Sequence, residues 1–510
     1  MNAPMKSFRY LLLILVALNI HMIPSAAQSG QRTFTLEDAI AIAQAGSPDA
    51  LTSRQTFRSS FWQYKSFRAQ YLPSMSASAT LPDFQRAYAK YENWDGSISY
   101  VQKQFMSEDV SLSIAQRIGF SGGSIYISSG LGRIDNLPLT DSTFSYNSTP
   151  IYIGLQQPLF RFNSYRWERK IQPLQYEQAK KKYLEDLEQI SITATNYFFN
   201  LLSAQITKKI ALTNLSNYDT LYRIARGRYE LGKIAENELL SLELNFLSAQ
   251  ADVENASISL DLALYHFRSY LRIKDTIPIR LIPPTNIDFF TISPTDAILY
   301  AKQNSSTYVD YQTRLIEAAR DVREAKMTGR FDANLSAGYG LTQTALYNEI
   351  TKTPPTLADV YTDPQQSQNL SLSLSIPIYD WGVARGQIKI AEAQQEIVKN
   401  AVEQEMLDFE RNAFIKVLQF NMQQNLIRIA AKSDTVARKT YEVVKGRYLI
   451  GKPVTILELN DAQINTDNSE KNFYNALQLF WRSYYEIRKM TLFDFRENRP
   501  LQFSIRDIVQ

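Results

Sequence analysis

The chain of 510 residues contains no cysteine and only two histidines. A thiol nucleophile, a disulfide framework, a lipid-modified N-terminal cysteine and metal sites built from Cys and His are thereby excluded. Charge of one sign is equally scarce. The 55 Lys and Arg are set against 51 Asp and Glu, without the basic clusters of a nucleic-acid binder. Long apolar runs are missing too: beyond the N-terminal segment, no stretch reaches the roughly 18 apolar residues that a membrane-crossing helix requires. No cofactor is expected.

Residues 1–27 read as a signal peptide. Lys6 and Arg9 precede the apolar run Leu11 to Leu18, and Ser25-Ala26-Ala27 supplies small residues before Gln28. Cleavage there removes His21 and two positive charges, so an exported, near-neutral chain with His266 as its one histidine is expected. What is abundant is aromatic, with 30 Tyr and 26 Phe. A soluble periplasmic protein and an outer-membrane β-barrel, whose alternating strands keep hydropathy low, both fit, and the aromatics tilt toward the barrel with its aromatic girdles.

An internal repeat is the strongest signal. Arg226-Gly227-Arg228-Tyr229-Glu230-Leu231-Gly232-Lys233 returns as Lys445-Gly446-Arg447-Tyr448-Leu449-Ile450-Gly451-Lys452, 219 residues later. Gln157-Pro158-Leu159-Phe160 and Ile376-Pro377-Ile378-Tyr379 share that offset. Asp38-Ala39-Ile40 and Asp296-Ala297-Ile298 are 258 apart, so the first copy carries 39 extra residues between about 73 and 150. The chain divides into a first repeat (28–271), a linker (272–292), a second repeat (293–490) and a C-terminal extension (491–510).

Each copy follows one plan. An opening helix runs to about 70 or 330, started by Thr35 with Asp38 in one copy and by Ser293-Pro294 in the other. Alternating strands follow: Met75, Ala77, Ala79 and Leu81 interleave with Ser and Thr, and Leu370, Leu372 and Leu374 interleave with serines. Such strands suit a barrel wall or a soluble sandwich. Then come helical stretches over about 161–227 and 382–446. Tyr183, Leu187, Ile190, Ala194, Tyr197, Leu201 and Ala204 mark a coiled-coil seam on the first. Leu407, Phe414, Leu418, Met422, Leu426 and Ile429 mark one on the second, and Pro173 is expected to kink the first stretch. Closing helices cover 234–271 and 454–490. Ser121-Gly122-Gly123-Ser124 lacks the Lys of a phosphate loop and reads as a hairpin turn.

Counting strands forces an assembly. The chain offers four strands, or six if Val110–Ile118 and Ser124–Leu131 join them. A closed membrane barrel needs about eight or more, and open edges are not tolerated in lipid. The strands must be shared among copies, with a helical tube roughly 100 Å long beneath them.

At these residues the chain resembles the TolC-type outer-membrane efflux family. The resemblance runs through Phe34-Thr35-Leu36-Glu37-Asp38-Ala39-Ile40, the corner Leu372 to Gly382, and Arg447-Tyr448-Leu449-Ile450-Gly451-Lys452 with Leu457 to Gln463. It implies an α+β membrane protein: a long α-helical coiled-coil barrel continuous with a transmembrane β-barrel of twelve strands shared by three protomers, with internal duplication; the 39 extra residues of the first copy leave room for more than twelve. It also implies a homotrimer in the outer membrane with its helices in the periplasm. That trimer is the exit duct of a tripartite efflux or type I secretion system, docked through a periplasmic adaptor to an inner-membrane pump.

By position, Tyr448 matches the gate tyrosine and Glu238 a gate carboxylate. Glu458 and Asp461 match an acidic ring if one residue is inserted after Gly451, and Lys452 substitutes for a basic gate residue that Pro453 displaces. The adaptor-contacting tips comprise Arg226, Gly227, Arg228, Tyr229, Gly232 and Lys233 in one copy, and Lys445, Gly446, Arg447 and Gly451 in the other. Glu458 and Asp461 share a helix face, and three-fold symmetry would crowd six carboxylates at a mouth favouring cations; a solvated helix face is the plainer reading. Gly232 and Gly451 are also placed to end helices. Two alternatives fit less well. A periplasmic adaptor also uses long α-hairpins but needs further β modules, and an exported glycosidase needs paired carboxylates in a cleft. No enzymatic role is expected.

Overall fold

The computed structural model describes residues 32–137, 142–348, 350–351 and 353–509; the expected signal segment 1–27 lies outside them. The chain opens with β1 (Arg32–Phe34), α1 (Leu36–Gly46) and α2 (Pro48–Ala69), followed by β2 (Ser74–Glu92), β3 (Ile98–Ile118), β4 (Gly123–Asn136) and β5 (Thr143–Pro158). Next come α3 (Ser164–Glu230), α4 (Glu236–Leu271), β6 (Ile279–Leu281), α5 (Pro294–Asn304) and α6 (Ser306–Thr328). β7 (Asp332–Ala345), α7 (Asp359–Thr362), β8 (Gln365–Ser375), α8 (Val383–Leu449) and α9 (Ile456–Thr491) follow. The tail adds β9 (Phe493–Asp494), β10 (Arg499–Pro500) and α10 (Arg506–Val509). Two compact units share the chain. One comprises residues up to Pro48, Ser191–Phe289 and Asn425–Arg482; the other comprises Asp49–Ile190, Phe290–Gln424 and Ser483–Gln510.

Element lengths follow the sequence repeat. α3 and α8 each have 67 residues, and α4 and α9 each have 36. α8 starts 219 residues after α3, whereas α9 starts 220 after α4, so the connection 450–455 is one residue longer than 231–235. α3 continues through Pro173 as a single helix. The opening helices, read from sequence as continuous, are each broken once. Ser47 and Ser305 are extended (ψ 157° and 143°) and interrupt the helical ladder. Pro48 accounts for the first break, because a proline pushes its predecessor out of the helical region. At the second, Ser305 caps α6 by accepting from the Thr307 amide, and the buried Glu185 carboxylate accepts from the Ser306 amide at 2.7 Å.

Six strands form one antiparallel sheet in the order β2-β3-β4-β5-β7-β8. The 39 extra residues of the first copy therefore lengthen β2 and supply β3 and β4, and residues 110–118 and 124–131 do join. The alternation read from sequence sorts the sheet into two chemical faces. Met75, Ile114, Ile127, Ile153 and Tyr339 stand side by side on one of them. The adjacent row, pointing the other way, is Ser76, Ser113, Ser128, Tyr152, Gly340 and Ser367. On that polar face Tyr152 lies flat across Gly338 and Gly340, and a Cβ on Gly338 would collide with its hydroxyl. The hydroxyl in turn donates to Asn369 Oδ1 at 2.5 Å.

In the unit holding the sheet, Phe57, Tyr183 and Ile508 form a core with Tyr176, Leu187 and Phe503. The tail is fixed there by charge: Arg488 donates to Glu188 at 2.9 Å and reaches Asp494 at 3.2 Å. Burial drives the Glu188 carboxyl up to about 7 against the pull of Arg488. In the other unit, Gln205 joins the parallel pair β1–β6 to α3, donating to the Ile279 carbonyl at 2.8 Å and accepting from the Leu281 amide.

The seam expected on α8 is not the face this chain packs. Ala413, Val417, Phe420 and Ile427 are buried, whereas Leu407, Phe414, Leu418, Met422, Leu426 and Ile429 are exposed. α4 behaves alike, with Leu242, Ala249 and Ala256 buried and Leu240, Leu244, Leu247, Ile258, Leu262 and Tyr265 exposed. Both helices therefore carry two apolar stripes, of which the single chain covers one.

Candidate functional site

The sequence-selected residues gather at two helical tips, α3 to α4 and α8 to α9. Each long helix ends in the same way. The Lys233 amide bonds back to the Arg228 carbonyl and the Gly232 amide to that of Tyr229, both at 2.8 Å. Lys452 and Gly451 repeat this toward Arg447 and Tyr448 at 3.0 and 3.1 Å. This paired closure needs a left-handed residue, and Gly232 (φ 66°) and Gly451 (φ 75°) supply it. Gly227 and Gly446 sit one turn earlier, and a Cβ on either would meet open space.

Beneath these turns lies one core: Leu221, Ala225, Leu242, Tyr448 and Leu459, joined by Tyr218, Ile234, Leu239, Tyr441, Val444, Val454 and Ile456. Arg228 locks the tips together, donating to the Tyr448 and Leu449 carbonyls, both at 3.2 Å, with its guanidinium 5.2 Å from the Tyr448 ring centre. These are the last carbonyls of α8, where cationic donors are favoured. Burial raises the Tyr448 phenol above its ordinary range, Glu238 adds to that, and Arg228 opposes it. Lys445 turns inward instead and donates to Asn217 Oδ1 at 2.7 Å.

Other candidates remain outside this core. Arg226 pairs with Glu230 along its own helix, and Arg447 donates to the Pro453 carbonyl at 3.3 Å. Tyr229, the counterpart of Tyr448, is exposed, as are Lys233, Glu238, Lys452, Glu458 and Asp461. Glu458 serves its own helix end. Its carboxylate accepts from the Thr455 amide while the Thr455 hydroxyl accepts from the Glu458 amide, both at 3.2 Å. That reciprocal cap starts α9. Sequence reading missed Arg228 as the inter-tip clasp, because its partners are backbone carbonyls. It also missed an amide layer below: Asn214 donates to Asp467 at 2.6 Å, and both Tyr218 and Asn245 donate to Asn460.

Each 67-residue helix follows a strand of the sheet and turns back at a glycine-closed tip into a 36-residue helix. The family model for outer membrane efflux proteins matches residues 39–271 and 317–491. The chain belongs to that family, located in the outer membrane and serving as an exit duct. Solved structures with the same fold include the outer-membrane channel OprN (TM-score 0.63, 15% identity, 89% of each chain covered). The Campylobacter jejuni CmeC outer membrane channel gives 0.62 at 15% identity, over 93% of this chain and 89% of that one. The Neisseria gonorrhoeae MtrE channel in its open state gives 0.60 at 14%, over 92% and 91%. No curated protein sequence matches the chain. The family is one of channels, which disfavours the adaptor alternative.

Proposed function

We propose that this protein is a homotrimeric outer-membrane duct of a tripartite efflux or type I secretion system, its sheet set in lipid and its helical tips docked to a periplasmic adaptor on an inner-membrane pump. The chain is a duplicated unit, with repeats at 28–271 and 293–490, a signal at 1–27, a linker at 272–292 and an extension at 491–510. One observation carries the reading. α4 and α8 each keep a whole apolar stripe exposed after the chain has folded, and exposed stripes of that extent mark an interface. Stripes on different helices suit a head-to-tail contact, which closes into a ring.

The same logic extends to the tips. Arg228 over Tyr448 is the contact inside a protomer, and exposed Tyr229 with Arg447 of the repeat is the matching contact between protomers. Tyr448, Glu238 and Lys452 belong to the closed gate, and Glu458 with Asp461 to its acidic mouth. The exposed turns around Gly232 and Gly451 are what the adaptor grips. Purified protein in detergent should migrate as a heat-modifiable trimer and conduct ions in planar bilayers. A monomer without conductance overturns the reading. Replacing Leu418 and Met422 by Glu should abolish the trimer.

A further inference from the structure

The two outermost strands of the sheet are β2 and β8, and their sequences treat the edge in an unusual way. An exposed strand edge is ordinarily protected by charge, proline or a bulge. β8, Gln365–Ser375, carries neither charge nor proline along its whole length. β2 is divided. From Ser74 to Leu81 it is equally bare, whereas Pro82 and a register shift between Thr80 and Asp83 open an upper half that bears Asp83, Arg86, Lys90 and Glu92. The protection begins where the apolar face stops.

Direction and phase agree with pairing between these edges. Six alternating strands leave β2 and β8 antiparallel, so β8 of one copy meets β2 of the next in the same sense as every pair within the chain. Along the bare part of β2, Met75, Ala77 and Ala79 point to the apolar side and serines to the polar side. β8 sorts Leu370, Leu372 and Leu374 from its serines in the same way. Within the chain, Ser78 and Ser111 already share a hydrogen bond across strands at 2.7 Å.

We infer that the lower edge of β2 (74–81) pairs with β8 of a neighbouring copy, so that three six-stranded sheets close an eighteen-strand barrel. The inference rests on the trimeric duct proposed above. Barrel diameter grows about linearly with strand number, so this wall is about one and a half times as wide as one built from four strands per copy, and about twice its cross-section. The upper half of the β2–β3 hairpin, Arg86 to Gln104, rises past the end of β4, whose last pair is Asn136 with Phe105. It stands clear of the wall on the side away from the helices.

Absence of native cysteine makes the test direct. Ser74, Ser76 or Ser78 is replaced by Cys in combination with Ser371, Ser373 or Ser375, and the trimer in outer-membrane vesicles is treated with a short thiol cross-linker. At least one pair should give dimer and trimer bands on denaturing gels, as cross-strand Cβ atoms lie about 5 Å apart. Ala77→Cys with Ser373→Cys, on opposite faces, should give none. Cross-linking of Ser128→Cys on β4 to β8 instead would overturn the inference, because it describes a wall of four strands per copy with β2 and β3 outside. Conducting trimers with no β2–β8 product at any pair would overturn it too. Failure to form trimers at all would count against the duct itself, and is read separately on uncross-linked protein.

Discussion

The two helical tips share a pattern, a left-handed glycine and a following helix of equal length, yet they differ in how their tyrosines are used. Tyr448 is buried in the common core with Arg228 over its ring, while Tyr229 stays 41% exposed. The start of the following helix differs as well. Ala235 gives α4 no side-chain cap, whereas Thr455 and Glu458 cap each other at the start of α9. In the proposed trimer, a repeated unit that faces its counterpart inside one chain and another across a subunit boundary keeps the geometry of its turns and specialises the side chains around them. The first tip supplies the clasp and the second receives it.

Breaking the clasped side should cost most. Tyr448→Ala empties a buried aromatic site, and such losses run to about 3–5 kcal/mol. Amide exchange in both tips (218–234 and 441–456) should quicken about a hundredfold or more, while Tyr448→Phe retains the ring and most of the protection. Tyr229→Ala in the monomeric state should leave exchange nearly unchanged. Equal effects of the two alanines would erase the distinction between the tips.

The glycines test what the tips share. Valine at Gly232 or Gly451 meets no clash, so the cost is that of forcing a β-branched residue left-handed, about 1–2 kcal/mol at either site. Both variants should assemble as trimers in detergent yet lose export in a drug-susceptibility assay. Loss of the trimer would assign these residues a purely structural role.

Much of this was legible in sequence because duplication wrote it twice. The matched lengths of α3 and α8 followed from residues repeating at a fixed offset, the alternation of β2 and β8 from its period of two, and the extra residue after Gly451 from the family resemblance. Capping at Thr35 and Ser293 was legible from local chemistry. The stripe on α8 was legible as apolar, but periodicity does not say which of two apolar faces a chain covers by itself and which it leaves for a partner. Pro48 marks the break at Ser47 in the sequence, whereas the break at Ser305 was hidden because the Glu185 carboxylate that accepts from the Ser306 amide lies 121 residues away. Arg228 escaped for another reason: a side chain that bonds to carbonyls leaves no mark in the partner's sequence.

The caps offer a gain as well as a loss. Thr455→Ala removes the hydroxyl that accepts from the Glu458 amide and should cost about 1 kcal/mol. Ala235→Thr places the same residue before Glu238, third in its helix as Glu458 is in α9, and should recover a similar amount at the first tip. Exchange at residues 236–239 and 456–459 reports both. If Ala235→Thr brings no slowing, Glu238 is held elsewhere, which would favour its proposed place in the gate.

The smallest effect concerns charge at the proposed mouth. Glu458 is oriented by its cap, and Asp461 lies three residues on along the same helix face. Both are exposed, so their field is screened over about 10 Å at 0.1 M salt and reaches further when salt is lowered. Glu458→Gln with Asp461→Asn should therefore shift the reversal potential toward weaker cation preference, by a few millivolts at 0.1 M and more at 0.01 M. Glutamine at 458 loses the charge but still accepts from the Thr455 amide, so the α9 cap survives and a selectivity change cannot be blamed on an unravelled helix. No shift at low salt would take the pair out of the pore and leave Glu458 with the capping role alone. A larger shift from Glu238→Gln would move the acidic mouth to the first tip, where no cap holds the carboxylate away from the lumen.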